Sequence, residues 1–416
     1  AVHFYIICDK IMVEEKSMNS LKELYKIGNG PSSSHTMGPK KAASLFKQKY
    51  SNANKYIVHL YGSLGSTGKG HLTDQVIMQE LTNATVLFEP KVIYKYHTNG
   101  MLFEAYYDDD LIGSWLVFSV GGGELKELNE PREKKDNQVY NLNKMADILQ
   151  YCNDTQIDFH QYVIQNEGEG IINYGKLILN QMFLSVERGI NTEGVLPGVL
   201  KIKRRAKHFY DEYLINHNYT TLEFAASLAV SEENAAGGVV VTAPTCGASG
   251  VLPGVLYTYN KYYKYSKRKL IEALLVGGLI GNIVKTTGSI SGAEVGCQGE
   301  VGTACAMGAA AICYLKGGSN KQIEYASEIA FEHHLGLTCD PVMGYVQIPC
   351  IERNAMSCKR AIDCANFALC TSGDHYIKLD DAIEIMLKTG KDIKSKYRET
   401  SKGGLATKKF KKEEIK

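Results

Sequence analysis

Residues 288–302 read GSISGAEVGCQGEVG and residues 332–355 read EHHLGLTCDPVMGYVQIPCIERNA, with an alanine-rich segment between them. Together they place Cys297, Cys339 and Cys350 in turns marked by glycine and proline, between segments of helical pattern. Gly296 and Gly299 flank the first cysteine, Pro341 follows the second by two positions and Pro349 precedes the third. Residues of this kind redirect the chain, so three thiols at the ends of separate helices are able to converge on one centre. The same region decides the fold class. Beyond about residue 141, apolar residues recur at helical spacing over 145–152, 159–165, 171–188, 221–233, 270–284, 301–315, 322–335, 351–369 and 380–387, with few strand signals. The small residues Gly277, Gly278, Gly281, Ala304, Ala306 and 308–311 predict a central pair of buried, closely packed helices.

The earlier half reads differently. Strand-like runs occur at 56–61, 85–88, 91–96, 101–107 and 115–120, and helical patterns at 39–50 and 73–81; β-branched and aromatic enrichment with turn signals such as Asn99-Gly100 marks the strands. Gly121, Gly122 and Gly123 end this part. Three glycines are able to approach a phosphate, though a lone triplet is a weak signal. The charged segment 124–137 reads as a surface linker. The expected fold is α+β, an N-terminal mixed α/β domain followed by a larger, mostly α-helical domain. The expected division is a poorly specified extension 1–17, an α/β domain 18–137 and a helical domain 138–416.

Composition narrows the function classes. A chain of 416 residues with 44% hydrophobic residues buries a substantial core. The 47 basic and 45 acidic residues leave a net charge of +2, so no electrostatic reason exists to expect nucleic acid or a membrane as partner. The basic run at 408–412 reads as a solvated tail. No run of about 18 apolar residues predicts a membrane span. Residues 2–8 are apolar but lack a basic flank and a small-residue cleavage site, which makes Met18 a plausible natural start. Eleven cysteines, an odd number, without a signal peptide favour a reducing, cytoplasmic setting.

Two loops of the first half carry candidate chemistry. Ser32, Ser33, Ser34, His35 and Thr36 precede a helix that begins near Pro39, so their hydroxyls and amides stand where free backbone N–H groups hold carboxylates. Taken alone, they read first as a serine-rich capping turn and second as a ligand site. GSLGSTGKG at 62–70 fails as a phosphate loop: Gly62 and Gly68 enclose five residues instead of four, and Gly70 stands where the motif needs Ser or Thr. His71 follows, with an imidazole suited to proton transfer near neutrality or simply to a structural hydrogen bond.

The cysteine spacing argues against zinc ribbons and fingers, because no C-x-x-C pair occurs. Forty-one residues separate Cys297 from Cys339 and ten separate Cys339 from Cys350. Three thiolates suit a [4Fe-4S] cluster with one iron free of protein ligands. Spacing alone leaves cluster ligation and buried packing both open.

GPSSSHTMGP, GSLGSTGKGHLTD, TAPTCGASGVLP, SGAEVGCQGEVG and EHHLGLTCDPVMGYVQIPCIERNA, in this order over 21–405, resemble the iron-sulfur-dependent L-serine dehydratases in their single-chain form. In that form a β-type domain precedes an α-type domain. The resemblance implies Cys297, Cys339 and Cys350 as cluster ligands, L-serine ammonia-lyase activity, a [4Fe-4S] cofactor and a homodimer. No lysine stands in a motif for pyridoxal phosphate, which is not expected. The resemblance further implies His71 as catalytic base and residues 32–36 as holders of the substrate carboxylate, with His97 and Asn99 as additional contacts. Some relatives end in a cysteine that caps the open iron; this sequence has none after Cys370, so tail capping is not carried over. Cys246 sits where relatives often have Asn and is not expected as a ligand. Cys8, Cys152, Cys305, Cys313, Cys358, Cys364 and Cys370 are expected mainly as buried packing. L-cysteine desulfidase and a non-catalytic iron-sulfur sensor are the alternative readings.

Overall fold

The computed structural model describes residues 17–128 and 138–408. The extension before Ser17, most of the expected linker and most of the basic run lie outside the described residues.

Five strands form one sheet in the order Ala84–Glu89, Lys55–Tyr61, Gly100–Tyr107, Asp110–Gly121, Glu124–Glu127. The first pair is parallel and the rest antiparallel, because the helices Gly62–Thr67 and Thr73–Glu80 carry the chain across between the two parallel strands. In Lys55–Tyr61 the inward positions Tyr56, Val58 and Leu60 alternate with more exposed neighbours, as a sheet with one covered face requires. That face meets the helices Gly38–Lys49 and Thr73–Glu80 through Ala42, Phe46, Ile77, Phe103 and Val117.

Three local expectations change. Residues 62–67 form a helix instead of a loop. Their glycines serve close approach: a Cβ on Gly65 would lie 2.7 Å from both the Leu60 carbonyl and the Pro90 nitrogen. The run 91–96 pairs with no strand; Pro90 lacks an N–H, Ile93 is 67% exposed and Tyr94 folds back onto Tyr61 and Phe118. The start of the expected linker, Glu124–Glu127, is the fifth strand.

The rest is helical, and the expected helices are present with ends shifted by a few residues: most are longer, but the one expected over 322–335 stops at Glu332 and the one expected over 301–315 begins as an α-helix at Thr303. Three more occur among the described residues, Ala206–Asn216, Val251–Tyr263 and the single turn Gly292–Val295. Pro253 looks like a breaker in sequence, but it stands in the first turn of its helix, where a missing N–H costs little. Every residue of Thr303–Leu315 is buried. The helix Lys267–Thr287 packs against it, with Gly277 facing the Met307 carbonyl. Lys267–Thr287 is also the one helix among the described residues long and apolar enough to cross a membrane, and 78% of that apolar window is buried inside the protein.

The first described segment threads into this helical body before the sheet begins. Met18–Asn19 pairs with Gln138–Tyr140 and Ile27–Asn29 with Val239–Val241. Met18, Leu21, Leu24 and Tyr25 join the helical core, and the Tyr25 hydroxyl donates to the Leu274 carbonyl at 2.9 Å. The serine-rich loop that follows therefore emerges at the seam between sheet and helices.

Candidate active site

Cys297 sits between Gly296, at φ +80°, and a π-helical turn Gln298–Gly302 that leads into Thr303–Leu315. A side chain on Gly296 would meet the Leu337 carbonyl at 2.6 Å. The buried Gln298 amide fixes this turn: it donates to the Val295 carbonyl at 2.7 Å and accepts from Gly336 N–H at 2.9 Å. Cys339 is held through its backbone, donating to the Tyr397 carbonyl at 2.8 Å and accepting from Glu399 N–H at 2.7 Å. Cys350 opens the helix Cys350–Leu369. Asn354, one turn on, donates to the Cys350 carbonyl at 2.8 Å and to the Gly247 carbonyl at 2.7 Å, and accepts from Gly250 N–H at 2.9 Å.

The three cysteines line one cavity with Ser32, Ser33, His71, Glu300 and Glu399. The Sγ atoms of Cys297 and Cys339 and a Glu300 oxygen lie within 4.8 Å of one another, and Cys350 Sγ is not within that distance of all three. Three thiols make the soft donor set that iron-sulfur clusters use. Arg353 reaches Cys297, donates to the Thr338 carbonyl at 2.6 Å and lies 3.6 Å from Asp340. Its guanidinium is the fixed positive charge beside the thiols. Contact with Cys297 and burial push the Cys339 thiol up, and burial with the charge on Cys297 does the same for Cys350.

The sheet side supplies the histidines. His71 is 1% exposed, and its Nδ1 lies 3.1 Å from the Thr67 carbonyl. A carbonyl only accepts, so Nδ1 carries the proton and Nε2 presents its lone pair toward Glu399 Oε1 at 4.0 Å. Burial lowers the imidazole to about 4, leaving a neutral base. The His35 ring lies 4.5 Å from that of His71 and touches Ser34 Oγ at 2.9 Å and Ser63 Oγ at 3.1 Å; burial and then the neighbouring His71 push it well below its ordinary value.

The serine loop is a second π-helical turn, Ser33–Met37, capped by Ser32 Oγ, which accepts from His35 N–H at 3.1 Å. Irregular turns of this kind cluster at functional positions. Ser32 and Ser33 face the cysteine cavity; Ser33 and Ser34 face a neighbouring cavity of about 180 Å³, with His97, Asn99, Gly121 and Gly122. Thr36 has its hydroxyl engaged, accepting from Ser32 N–H at 3.1 Å and donating to the His71 carbonyl at 2.8 Å. It ties the serine turn to His71. Asn99 donates to the Ser119 carbonyl at 3.2 Å.

The sequence reading missed two carboxylates. Glu300 and Glu399 line both cavities; burial raises Glu300 to about 7 and, with the charge on Glu300, raises Glu399 well above the carboxylate range. Glu300 lies three residues after Cys297 and was visible in the motif, whereas Glu399 had no local signal. Cys246 is buried with its sulfur 3.4 Å from that of Met37. Cys152, Cys305, Cys313, Cys358 and Cys364 are buried in the helical core, and Cys370 is exposed.

A family profile described as "Serine dehydratase alpha chain" matches residues 70–406 and one described as "Serine dehydratase beta chain" matches residues 20–86. "L-serine dehydratase 1" of Escherichia coli (strain K12) is 40% identical, covering 94% of this chain and 99% of the relative. "L-serine dehydratase" of Haemophilus influenzae is 39% identical over 94% and 99%, and that of Streptomyces coelicolor 38% over 93% and 98%. The chain belongs to the serine dehydratase family, with its β-type and α-type parts in one polypeptide.

Proposed function

We propose that the protein is an L-serine ammonia-lyase that converts L-serine to pyruvate and ammonia with a [4Fe-4S] cluster held by Cys297, Cys339 and Cys350. The observation that carries this reading is the convergence of three thiols and a neutral, buried imidazole on one cavity. When bound, the cluster supplies Lewis-acid polarisation of the substrate carboxylate and β-hydroxyl. His71 Nε2 accepts the α-proton, which its buried and uncharged state leaves it free to do. The electron pair of the Cα–H bond forms the Cα=Cβ double bond as the Cβ–O bond breaks, and hydroxide leaves as water once protonated. The aminoacrylate product tautomerises to the imine and takes up water to give pyruvate and ammonia.

Ser32 and Ser33, at the opening of their helical turn, orient the carboxylate by hydrogen bonds. His97 and Asn99 contact substrate from the neighbouring cavity. The thiol-held cofactor suits a reducing cytoplasm, and the working form is a homodimer.

The test is anaerobic reconstitution with iron and sulfide, analysis of both elements, and pyruvate release measured side by side with L-serine, L-threonine and L-cysteine. Iron-dependent turnover with L-serine preferred is expected. Activity in iron-free protein would sink the cluster assignment, and preference for L-cysteine with sulfide release would make the protein a desulfidase.

A further inference from the structure

We propose that Glu399 is the seat of the substrate's α-ammonium group, an inference that rests on the L-serine reading above. Glu399 comes from the C-terminal stretch that crosses the mouth of the helical body. Its backbone is set by long-range contacts: its N–H donates to the Cys339 carbonyl at 2.7 Å, Cys339 N–H donates to Tyr397 at 2.8 Å, and Arg398 Nη1 donates to the Glu294 carbonyl at 2.9 Å. The residue adopts φ +55°, a left-handed conformation that a side-chain-bearing residue takes up only when its surroundings impose it. That conformation aims the carboxylate inward.

There Oε1 stands 4.0 Å from His71 Nε2 and 4.0 Å from His35 Nδ1, with the side chain 13% exposed. Neither imidazole is a cation at neutral pH, since burial lowers both. Among the described residues, no lysine or arginine lies within 4.0 Å of the Glu399 or Glu300 carboxylates. Arg353 stands beside the thiols and Lys285 lines the neighbouring cavity, yet neither pairs with Glu399, and an unpaired, largely buried carboxylate is what a cationic ligand group relieves. Glu300 belongs to the compact group with Cys297 and Cys339, which leaves Glu399 as the carboxylate open to the substrate. An ammonium bound to the oxygen that already faces His71 Nε2 brings the attached α-carbon to the base, so one contact both selects α-amino acids and orients the proton to be removed.

The experiment compares L-serine turnover with inhibition by L-glycerate, which has a hydroxyl in place of the ammonium. In the cluster-loaded Glu399→Gln enzyme, KM for L-serine should rise tenfold or more with a smaller change in kcat, while the inhibition constant of L-glycerate stays within twofold; Glu399→Asp should recover part of the loss. An unchanged KM, or equal weakening of L-serine and L-glycerate, overturns the proposal and assigns Glu399 a role in seating the tail. Should the variants misfold, the wild-type enzyme decides alone: L-glycerate binding as tightly as L-serine would exclude an ammonium seat, and binding at least tenfold weaker supports it. Wild-type protein that does not turn over L-serine fails the proposed function itself, a different outcome from an active wild type with an indifferent Glu399→Gln variant.

Discussion

Replacing Thr36 with valine tests whether the serine turn and His71 are positioned as one unit. The Thr36 hydroxyl accepts from Ser32 N–H at 3.1 Å and donates to the His71 carbonyl at 2.8 Å, and the residue is fully buried. Valine keeps the volume and the branching but removes both bonds, leaving a backbone donor and a backbone acceptor buried without them. Each stranded group costs about 1–3 kcal/mol, so Thr36→Val should destabilise by roughly 2–5 kcal/mol, allowing for partial relaxation. The lost link also frees His71 relative to Ser32 and Ser33, and misplacement on the order of 1 Å costs about a hundredfold in rate. Thr36→Ser restores the hydroxyl and loses one methyl, about 1 kcal/mol. The assays are denaturant unfolding and anaerobic kcat on reconstituted protein. If the valine variant unfolds and turns over like the wild type, the hydroxyl does not hold the two loops together; if serine fails to rescue, the methyl rather than the hydrogen bonds is responsible.

His71→Ala should lower kcat on the order of a hundredfold or more with iron content unchanged, and normal turnover would remove it as the base. Cys350→Ser should reduce the iron and sulfide retained after reconstitution; full retention would show that Cys350 is not a ligand. Glu328 offers a pH test of stability: it is 3% exposed with one carboxylate oxygen unpartnered, and burial followed by the charges of Glu332 and Glu324 raises it from 4.5 to about 8. A raised carboxyl gives its full protonation-linked stability below 4.5 and loses it as pH rises through 8. Glu328→Gln should therefore stabilise by on the order of 2–4 kcal/mol near pH 9 and by little near pH 5, as read from unfolding at both values. An equal gain at both would place the effect elsewhere.

Much of this architecture is local and could be read from the chain. The helix Thr303–Leu315 is buried on every side, and its small, apolar composition said so. The strand Lys55–Tyr61 is rich in β-branched and aromatic residues, and a strand is what it forms. What could not be read was set by distant partners. Run 91–96 has the β-branched and aromatic content of a strand, yet the sheet edge beside it is taken by a parallel strand and Pro90 cannot donate. Val251–Tyr263 hides a helix behind Pro253 because first-turn and interior prolines look alike before the helix start is known. The threading of residues 18–29 through the helical body depends on pairings with residues 138–140 and 239–241, which no local pattern announces.

The site divides along the same line. The cysteines stood out because the turns that aim them need glycine and proline, and those residues are visible as letters. Glu399 did not, because its place comes from the pairing of Cys339 with Arg398, across a separation that periodicity cannot span. Burial then explains the chemical character of what converges there. It pushes both histidines down, both carboxylates up and the Cys350 thiol up, and it adds to the contact with Cys297 that raises Cys339, so each group moves toward its uncharged form, with Arg353 the fixed charge beside the thiols. A cavity of this kind gains most from a cofactor that holds thiols as thiolates and from a substrate that brings its own ammonium and carboxylate. On the proposed reading, a bound cofactor and the substrate's ammonium would each favour the charged form of the groups they meet, which would couple loading of the thiols to recognition of the amino acid.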